Sequence, residues 1–457
     1  MTVTLDTTSL YSGQGFNVQD IVNQILDSER GQETQWKTEQ TTLQSQTTAL
    51  DQLQSQISTL STDANSLTDF SGVMGAVTAS SSDPGVVIAT ATSSAATANH
   101  ILQVQNLATT GAAYSSDVAS GATLDPGTLT ITVGSNTQTV DVGTTNTSLS
   151  AIASAINDLK MGVTANVQTD STGSRLTVTS SSSGGAAGVS VTGGTSQLSF
   201  TNLAGQDALV NVDGIPYQSS TNTITGAISG VTLNLASADP NTDVTLSVSP
   251  DVSSVATALN TFVTDYNSVV TSLNSQFTYD SSTNSAGVLS GDSSVRMVQD
   301  SLLSLASFSM TGNGTINTLQ DLGVTMQDDG TLSVDSDTLN SALTNNFATL
   351  QSFFQGGTGS FGDALTTAMT TLNDPSDGAI ALDLNDISQT NQDLTTQINN
   401  FEANLTAQQQ VLTDEYSQVN AQLQELPLLQ SQVSSELGSL DPYSSSSSTS
   451  SSSSSSS

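Results

Sequence analysis

Cysteine is absent from the 457 residues, and histidine occurs once, at His100. The first absence excludes disulfides, thiol nucleophiles, Cys-ligated zinc and iron–sulfur clusters. The second excludes His-rich metal sites and most acid–base dyads built on imidazole. Cations are also scarce: five Lys and Arg stand against 41 Asp and Glu, a net charge of −36, although charged residues make up only 10% of the chain. Ser, Thr, Gln and Asn carry most of the surface. Such a field repels phosphate backbones and anionic lipid, so the counterion release that drives nucleic-acid binding has the wrong sign, and no nucleic-acid partner is expected. Aromatic residues are 4%, few for a shaped catalytic pocket and enough for long helices and Thr/Ser-rich strands. No apolar run reaches the ~18 residues of a spanning helix, and the first residues lack the basic and apolar regions of a Sec signal. No membrane insertion is expected, and export would use another machine.

What is present is heptad order. The length suggests several domains of ~150 residues or fewer. From Asn17 to Phe70 there is no Pro and one Gly, Gly31, and apolar residues recur at Val18, Ile21, Val22, Ile25 and Leu26. Trp36, Leu43, Leu50, Ile57 and Ala64 then step by seven, with Leu53, Leu60 and Leu67 at the companion d positions and Glu39 and Gln46 as polar interruptions. Asn17 with Asp20 forms a helix N-cap signal. At the far end Ile398, Leu405, Leu412, Val419, Leu426 and Val433 step by seven, joined by Leu394, Phe401 and Leu429. Gln408, Glu415 and Gln422 interrupt that seam, while Tyr416 and Leu423 add apolar neighbours one place later. Neither stripe can be buried by its own helix, and packing on each other would bury both.

Between the ends the period changes. Over 74–250 apolar residues alternate, as in Leu129-Thr-Ile131-Thr-Val133 and Val231-Thr-Leu233-Asn-Leu235, with Gly, Asp and Ser at the breaks. A helical stretch at Leu149, Ile152, Ala153 and Ile156 interrupts them and makes a strand, strand, helix, strand unit over 127–191. The spacing predicts a mainly helical segment over 251–375 with a small hairpin near Gly323 to Val334. The fold class is therefore α+β multidomain: a flexible segment 1–16, a coiled-coil-like helix 17–73, β-rich domains 74–250, the helical segment 251–375, a second coiled-coil-like helix 376–440 and a Ser-rich tail 441–457 that cannot fold.

Chemistry finds little purchase. His100 takes an ordinary polar position in a strand-like alternation, which disfavours a Ser-His-Asp triad. Asp328-Asp329-Gly330 and Asp335-Ser-Asp337 lack the spacing of a calcium loop and read as a turn and a helix cap. Gly13-Gln-Gly15 is too short for a phosphate loop and suits a joint before the first helix. Paired carboxylates for glycoside hydrolysis come with no aromatic sugar platform. Trp36 reads as a knob in a helical seam. No catalytic, cofactor or metal residue is assigned, and no enzymatic activity is expected. Pro427 removes an internal hydrogen bond, so a kink or break near Glu425 is expected.

Taken together, these residues resemble the flagellar hook-associated protein 2 family. The opening Gly13-Gln-Gly15-Phe-Asn17-Val-Gln-Asp-Ile21-Val22 is similar to that family's start, with Glu29-Arg30 at a matching place. Residues Gly127 to Val191 resemble a motif shared by flagellins and hook-associated proteins, through Leu129, Ile131, Leu149, Ile156-Asn157, Gly162-Val163-Thr-Ala165 and Leu176-Thr-Val178. Val212-Asp213-Gly214, Gly230-Val231-Thr232-Leu233, Phe262, Tyr266-Asn267, Gly291-Asp292 and Leu322-Gly323-Val324 follow in the family's order. The resemblance implies a secreted homo-oligomer, commonly a pentamer, that caps the distal end of the flagellar filament, retains exported flagellin and promotes its polymerisation. It also implies export by the flagellar type III machinery with an export chaperone, no cofactor, and, for parts of the family, adhesion to host or environmental surfaces. An extracellular adhesin or a hook–filament junction protein is the alternative. The residues expected to carry self-association or filament contact are Ile21, Ile25, Trp36, Leu43, Leu50, Leu53, Ile57, Leu60, Leu67, Leu394, Ile398, Phe401, Leu405, Leu412, Val419 and Leu426.

Overall fold

A computed structural model describes residues 16–119, 122–281 and 285–440. The expectations for the segment up to Gly15, including its Gly13-Gln-Gly15 joint, and for the Ser-rich tail fall outside these residues. The helices are α1 (Val18–Glu29), α2 (Gly31–Thr68), α3 (Leu149–Asp158), α4 (Val252–Phe277), α5 (Ser293–Ala306), α6 (Ser336–Asn345), α7 (Phe347–Gln355), α8 (Phe361–Leu372) and α9 (Ala379–Leu440). Two compact units divide the chain. The first takes the residues up to Thr59, Ser268–Leu303 and the residues from Thr370 onward; the second takes Leu60–Asn267 and Ser304–Met369.

In the first unit, Asn17 caps α1 by accepting from the amides of Gln19 and Asp20, and its own Nδ2 donates to Asp20 Oδ2 at 2.7 Å. The single N-terminal helix expected from the heptads is corrected: α1 stops at Arg30, whose amide bonds the Leu26 carbonyl, and α2 restarts at Gly31. The reason is local. No apolar residue lies between Leu26 and Trp36 to be buried, and Gly31 costs about 1 kcal/mol in a helix interior. Of the kink or break expected near Glu425, the break is corrected, because α9 runs unbroken for 62 residues with Pro427 inside it. Proline withholds the N–H that would meet the Leu423 carbonyl. The flanking Leu426 and Leu428 are exposed, so water can supply the missing donor.

The second unit holds two β cores and a helical core. In the first, a sheet ordered Val77–Ser81, Asp239–Pro250, Ala98–Asn106, Ala208–Val212, Ile215–Ser219 and a sheet ordered Thr223–Ile228, Val231–Leu235, Val87–Ala91 share the buried side chains of Val87, Leu102, Val104, Val210, Leu233 and Leu246. The tight turn joining Ala208–Val212 to Ile215–Ser219 needs Asp213 at φ 51° and Gly214 at φ 83°. His100 holds it: its Nδ1 lies 2.7 Å from Asp213 Oδ2, while the Ile101 amide donates to Asp213 Oδ1 at 2.9 Å. The His100 hydrogen bond keeps the Asp213 carboxyl below the ordinary carboxylate range.

The second β core surrounds α3, where Leu129, Ile131, Ile152, Ile156, Leu176 and Val178 are buried together. Asn157 bonds the backbone of Ala165 twice, at 3.0 Å as donor and 2.8 Å as acceptor, which ties the helix end to strand Val163–Thr169. In the helical core Asp335 caps α6, and Asp329 closes the hairpin turn by accepting from the Thr331 amide at 3.0 Å. Phe308, Phe353, Phe354 and Phe361 pack as one aromatic group, with Phe353 and Phe361 stacked at 5.0 Å. A Cβ on Gly362 would lie 1.6 Å from the Phe354 carbonyl oxygen, so only glycine lets α8 approach α7 this closely. Phe361→Ala should therefore destabilise the second unit by about 3–5 kcal/mol, read as a lower urea midpoint by circular dichroism.

Candidate functional site

The first unit brings the two terminal stripes together. Ile21, Val22 and Leu26 of α1 are buried and Ile25 is half-buried. Val22 and Leu26 pack with Leu405 of α9, and Val18, Phe401, Leu412 and Tyr416 border that cluster. Trp36 meets Phe401 edge to face at 5.7 Å, and Phe16 meets Tyr416 the same way at 6.2 Å. The contacts fix an antiparallel register. The Phe16 amide donates to Asn420 Oδ1 at 2.9 Å, Gln408 Nε2 donates to Glu29 Oε1 at 3.0 Å, and Gln40 Nε2 donates to Thr395 Oγ1 at 2.9 Å.

Farther along α2, Leu43 is half-buried, while Leu50, Leu53 and Ile57 are buried. Gln46, one of the polar interruptions, donates to the Val288 carbonyl at 3.2 Å, and Gln54 Nε2 donates to Asn373 Oδ1 at 2.7 Å. Leu53, Leu273 and Leu289 line a cavity of about 60 Å³. On α9, Leu394, Ile398 and Leu405 are buried and Phe401 and Leu412 are half-buried. Val419 and Leu426 are exposed, together with Val411, Leu428, Leu429, Val433 and Leu437. Leu60 and Leu67 are fully buried within the second unit.

The heptad reading missed Glu33, which is 4% exposed. Arg30 Nη1 donates to Glu33 Oε2 at 2.7 Å, Lys37 Nζ donates to Glu33 Oε1, and Lys37 reaches Glu402 Oε1 of α9 at 3.4 Å. The Lys37 hydrogen bond, helped by the Arg30 charge, holds the Glu33 carboxyl below its ordinary range although burial opposes this. A signal was available: Arg30, Glu33 and Lys37 have the i, i+3 and i, i+4 spacing of helix ion pairs. Among the described residues no group of three or more Asp, Glu, His or Cys is placed to hold a metal ion. None of the described helices is long and apolar enough to cross a membrane.

The family model described as flagellar hook-associated protein 2 N-terminus matches residues 14–111, and the model described as flagellar hook-associated protein 2 C-terminus matches residues 205–426. The B-type flagellar hook-associated protein 2 of Pseudomonas aeruginosa is 30% identical across 93% of this chain and 96% of its own length. Flagellar hook-associated protein 2 of Escherichia coli K12 is 27% identical across 90% of this chain and 94% of its own. Among solved structures, the D1-D2-D3 domains of the flagellar cap protein FliD from Escherichia coli superpose with a TM-score of 0.53 and 25% identity, covering 74% of this chain and 99% of that one.

Trp36 is the sole tryptophan, so its emission reports the seam directly. Phe401→Ala should shift that emission to the red. A double-mutant cycle of Trp36→Ala and Phe401→Ala, followed by circular dichroism in urea, should give a coupling of about 0.5–1.5 kcal/mol. Additive losses would show that the two rings do not support each other.

Proposed function

The chain belongs to the flagellar hook-associated protein 2 family, and from that membership we propose that it is a flagellar filament cap, an extracellular structural protein at the distal tip of the growing filament. As a homo-oligomer, a pentamer in this reading, it retains exported flagellin and promotes its folding and polymerisation, so that elongation and motility depend on it. Flagellar type III machinery and an export chaperone deliver it. Its role is structural rather than catalytic, and adhesion to host or environmental surfaces would be secondary. The adhesin and junction alternatives have no observation in their favour.

In this proposal the terminal helices, 17–73 and 376–440, are the legs that engage the filament, and the β-rich 74–250 supplies the plate that closes the tube. One observation carries the assignment. Among the described residues the α1–α9 seam ends near Asn420, yet the heptad stripe of α9 continues past it through Leu426, Leu429 and Val433 with those side chains in solvent. A coiled-coil stripe without a partner is a surface waiting for another helix. Neighbouring cap subunits and flagellin are the partners this reading supplies. The buried members of the predicted set, such as Leu50 and Ile57, support the leg from within.

The test is genetic and structural together. A strain expressing the chain with Leu426→Ser, Leu429→Ser and Val433→Ser should leak monomeric flagellin into the medium, carry short filaments and swim poorly. The purified variant should keep wild-type circular dichroism, because all three side chains are exposed. Normal filaments on that variant would exclude this surface, and a null strain that retains flagellin would exclude the cap reading itself.

A further inference from the structure

Two places in the helices set one aspartate against another. In the first unit Asp383, in the second turn of α9, lies within hydrogen-bonding reach of Asp292; in the second, Asp63 of α2 lies within the same reach of Asp265 of α4. In each pair one oxygen, Asp383 Oδ2 or Asp63 Oδ2, is buried with no hydrogen-bond donor. Asp292 is committed elsewhere. Its Oδ1 accepts from the Ser294 amide at 2.7 Å and the Val295 amide at 3.3 Å, capping α5. Two carboxylates in contact cannot both ionise cheaply, and a proton between them supplies the donor that the orphaned oxygen lacks.

We propose that each pair is a proton-held clip, in which one shared proton joins α9 to the start of α5 and another joins α2 to α4, so that both contacts tighten in mildly acidic surroundings and loosen in alkaline ones. This stands apart from the filament reading, since it needs only the isolated chain. The charged groups facing Asp383 are Asp292 and Asp386, with Ser294 as a hydrogen-bonding neighbour; the one facing Asp63 is Asp265. Cations are engaged elsewhere: Arg296, one turn along α5 from Asp292, lies over the Phe277 ring at 5.4 Å, while Arg30, Lys37 and Arg175 hold other carboxylates. Burial first, then Asp292, pushes Asp383 up to about 7. Burial first, then Asp265, pushes Asp63 up to about 6. Both folded values lie above the ordinary carboxylate value of 3.8. The stability they contribute is therefore complete below about pH 4 and is lost as pH rises through about 6 at Asp63 and about 7 at Asp383.

Hydrogen exchange on the full chain at pH 5 and pH 8, corrected for intrinsic rates, tests this. Peptides covering 379–394 should open about tenfold more often at pH 8 than at pH 5, and those covering 57–68 several-fold more, after allowance for solvent screening at these half-exposed groups. Asp383→Asn, whose amide can donate to Asp292, should remove the rise around 379–394 and leave that around 57–68. Asp63→Asn should do the reverse. Equal protection of the wild-type chain at both pH values overturns the proposal, and so does a variant that keeps the rise at its own site. The wild-type comparison decides alone should either variant fail to fold.

Discussion

A stripe of one apolar residue every three or four positions cannot be hidden by the helix that carries it, and the first unit is built on that constraint. α1 offers Val22 and Leu26, α9 offers Leu405, and neither set is buried without the other. Because the stripe is narrow, burial alone would tolerate a slip of one turn. The polar rungs do not. Gln408 has Glu29 at its height, Gln40 has Thr395, and the Phe16 amide has Asn420, so a slip would break several hydrogen bonds at once. Gln408, which the heptad pattern shows as an interruption in the apolar seam, is therefore one of the elements that mark its register.

Scarcity of cations shapes the rest. Five Lys and Arg cannot neutralise 41 acids, and two of the five are spent on Glu33. Several other carboxylates work as backbone acceptors: Asp251 and Asp335 at the starts of α4 and α6, Asp329 in the hairpin, Asp374 before α9. The Ser253, Thr338 and Thr331 hydroxyls first, with backbone amides beside them, hold Asp251, Asp335 and Asp329 below the ordinary range, and the Asp377 and Ser376 amides do so for Asp374. Their contribution is present above the ordinary carboxylate value and lost as pH falls. The two aspartate pairs have the opposite slope. A chain with both kinds of carboxylate is most stable between the two losses, in mildly acidic conditions.

The periodic features were legible in the sequence, and the reason is that they are local. Heptads state which faces are apolar, Asn17 with Asp20 states where α1 begins, and alternation around Leu129 and Leu233 states which strands are half-buried. The His100 alternation placed that residue in a strand, although its partner Asp213 lies far along the chain. Features that depend on such distant partners escaped. Glu33 carried a spacing signal, but its burial follows from the seam closing over it. The Asp63–Asp265 and Asp383–Asp292 pairs had no signal at all. The break at Arg30 and the continuity through Pro427 escaped for a different reason. Each turns on whether neighbouring side chains are buried: a stretch without apolar residues gives a helix no reason to continue, whereas an exposed proline costs little more than one hydrogen bond that water replaces.

The exposed end of α9 follows from the same balance. Leu426, Pro427, Leu428 and Leu429 form one apolar run whose three leucines are exposed, and Val433 and Leu437 follow it among Gln, Ser and Glu residues on a chain of net charge −36. That run is a face worth covering. On the proposed reading, the same surface is open before assembly and closed after it.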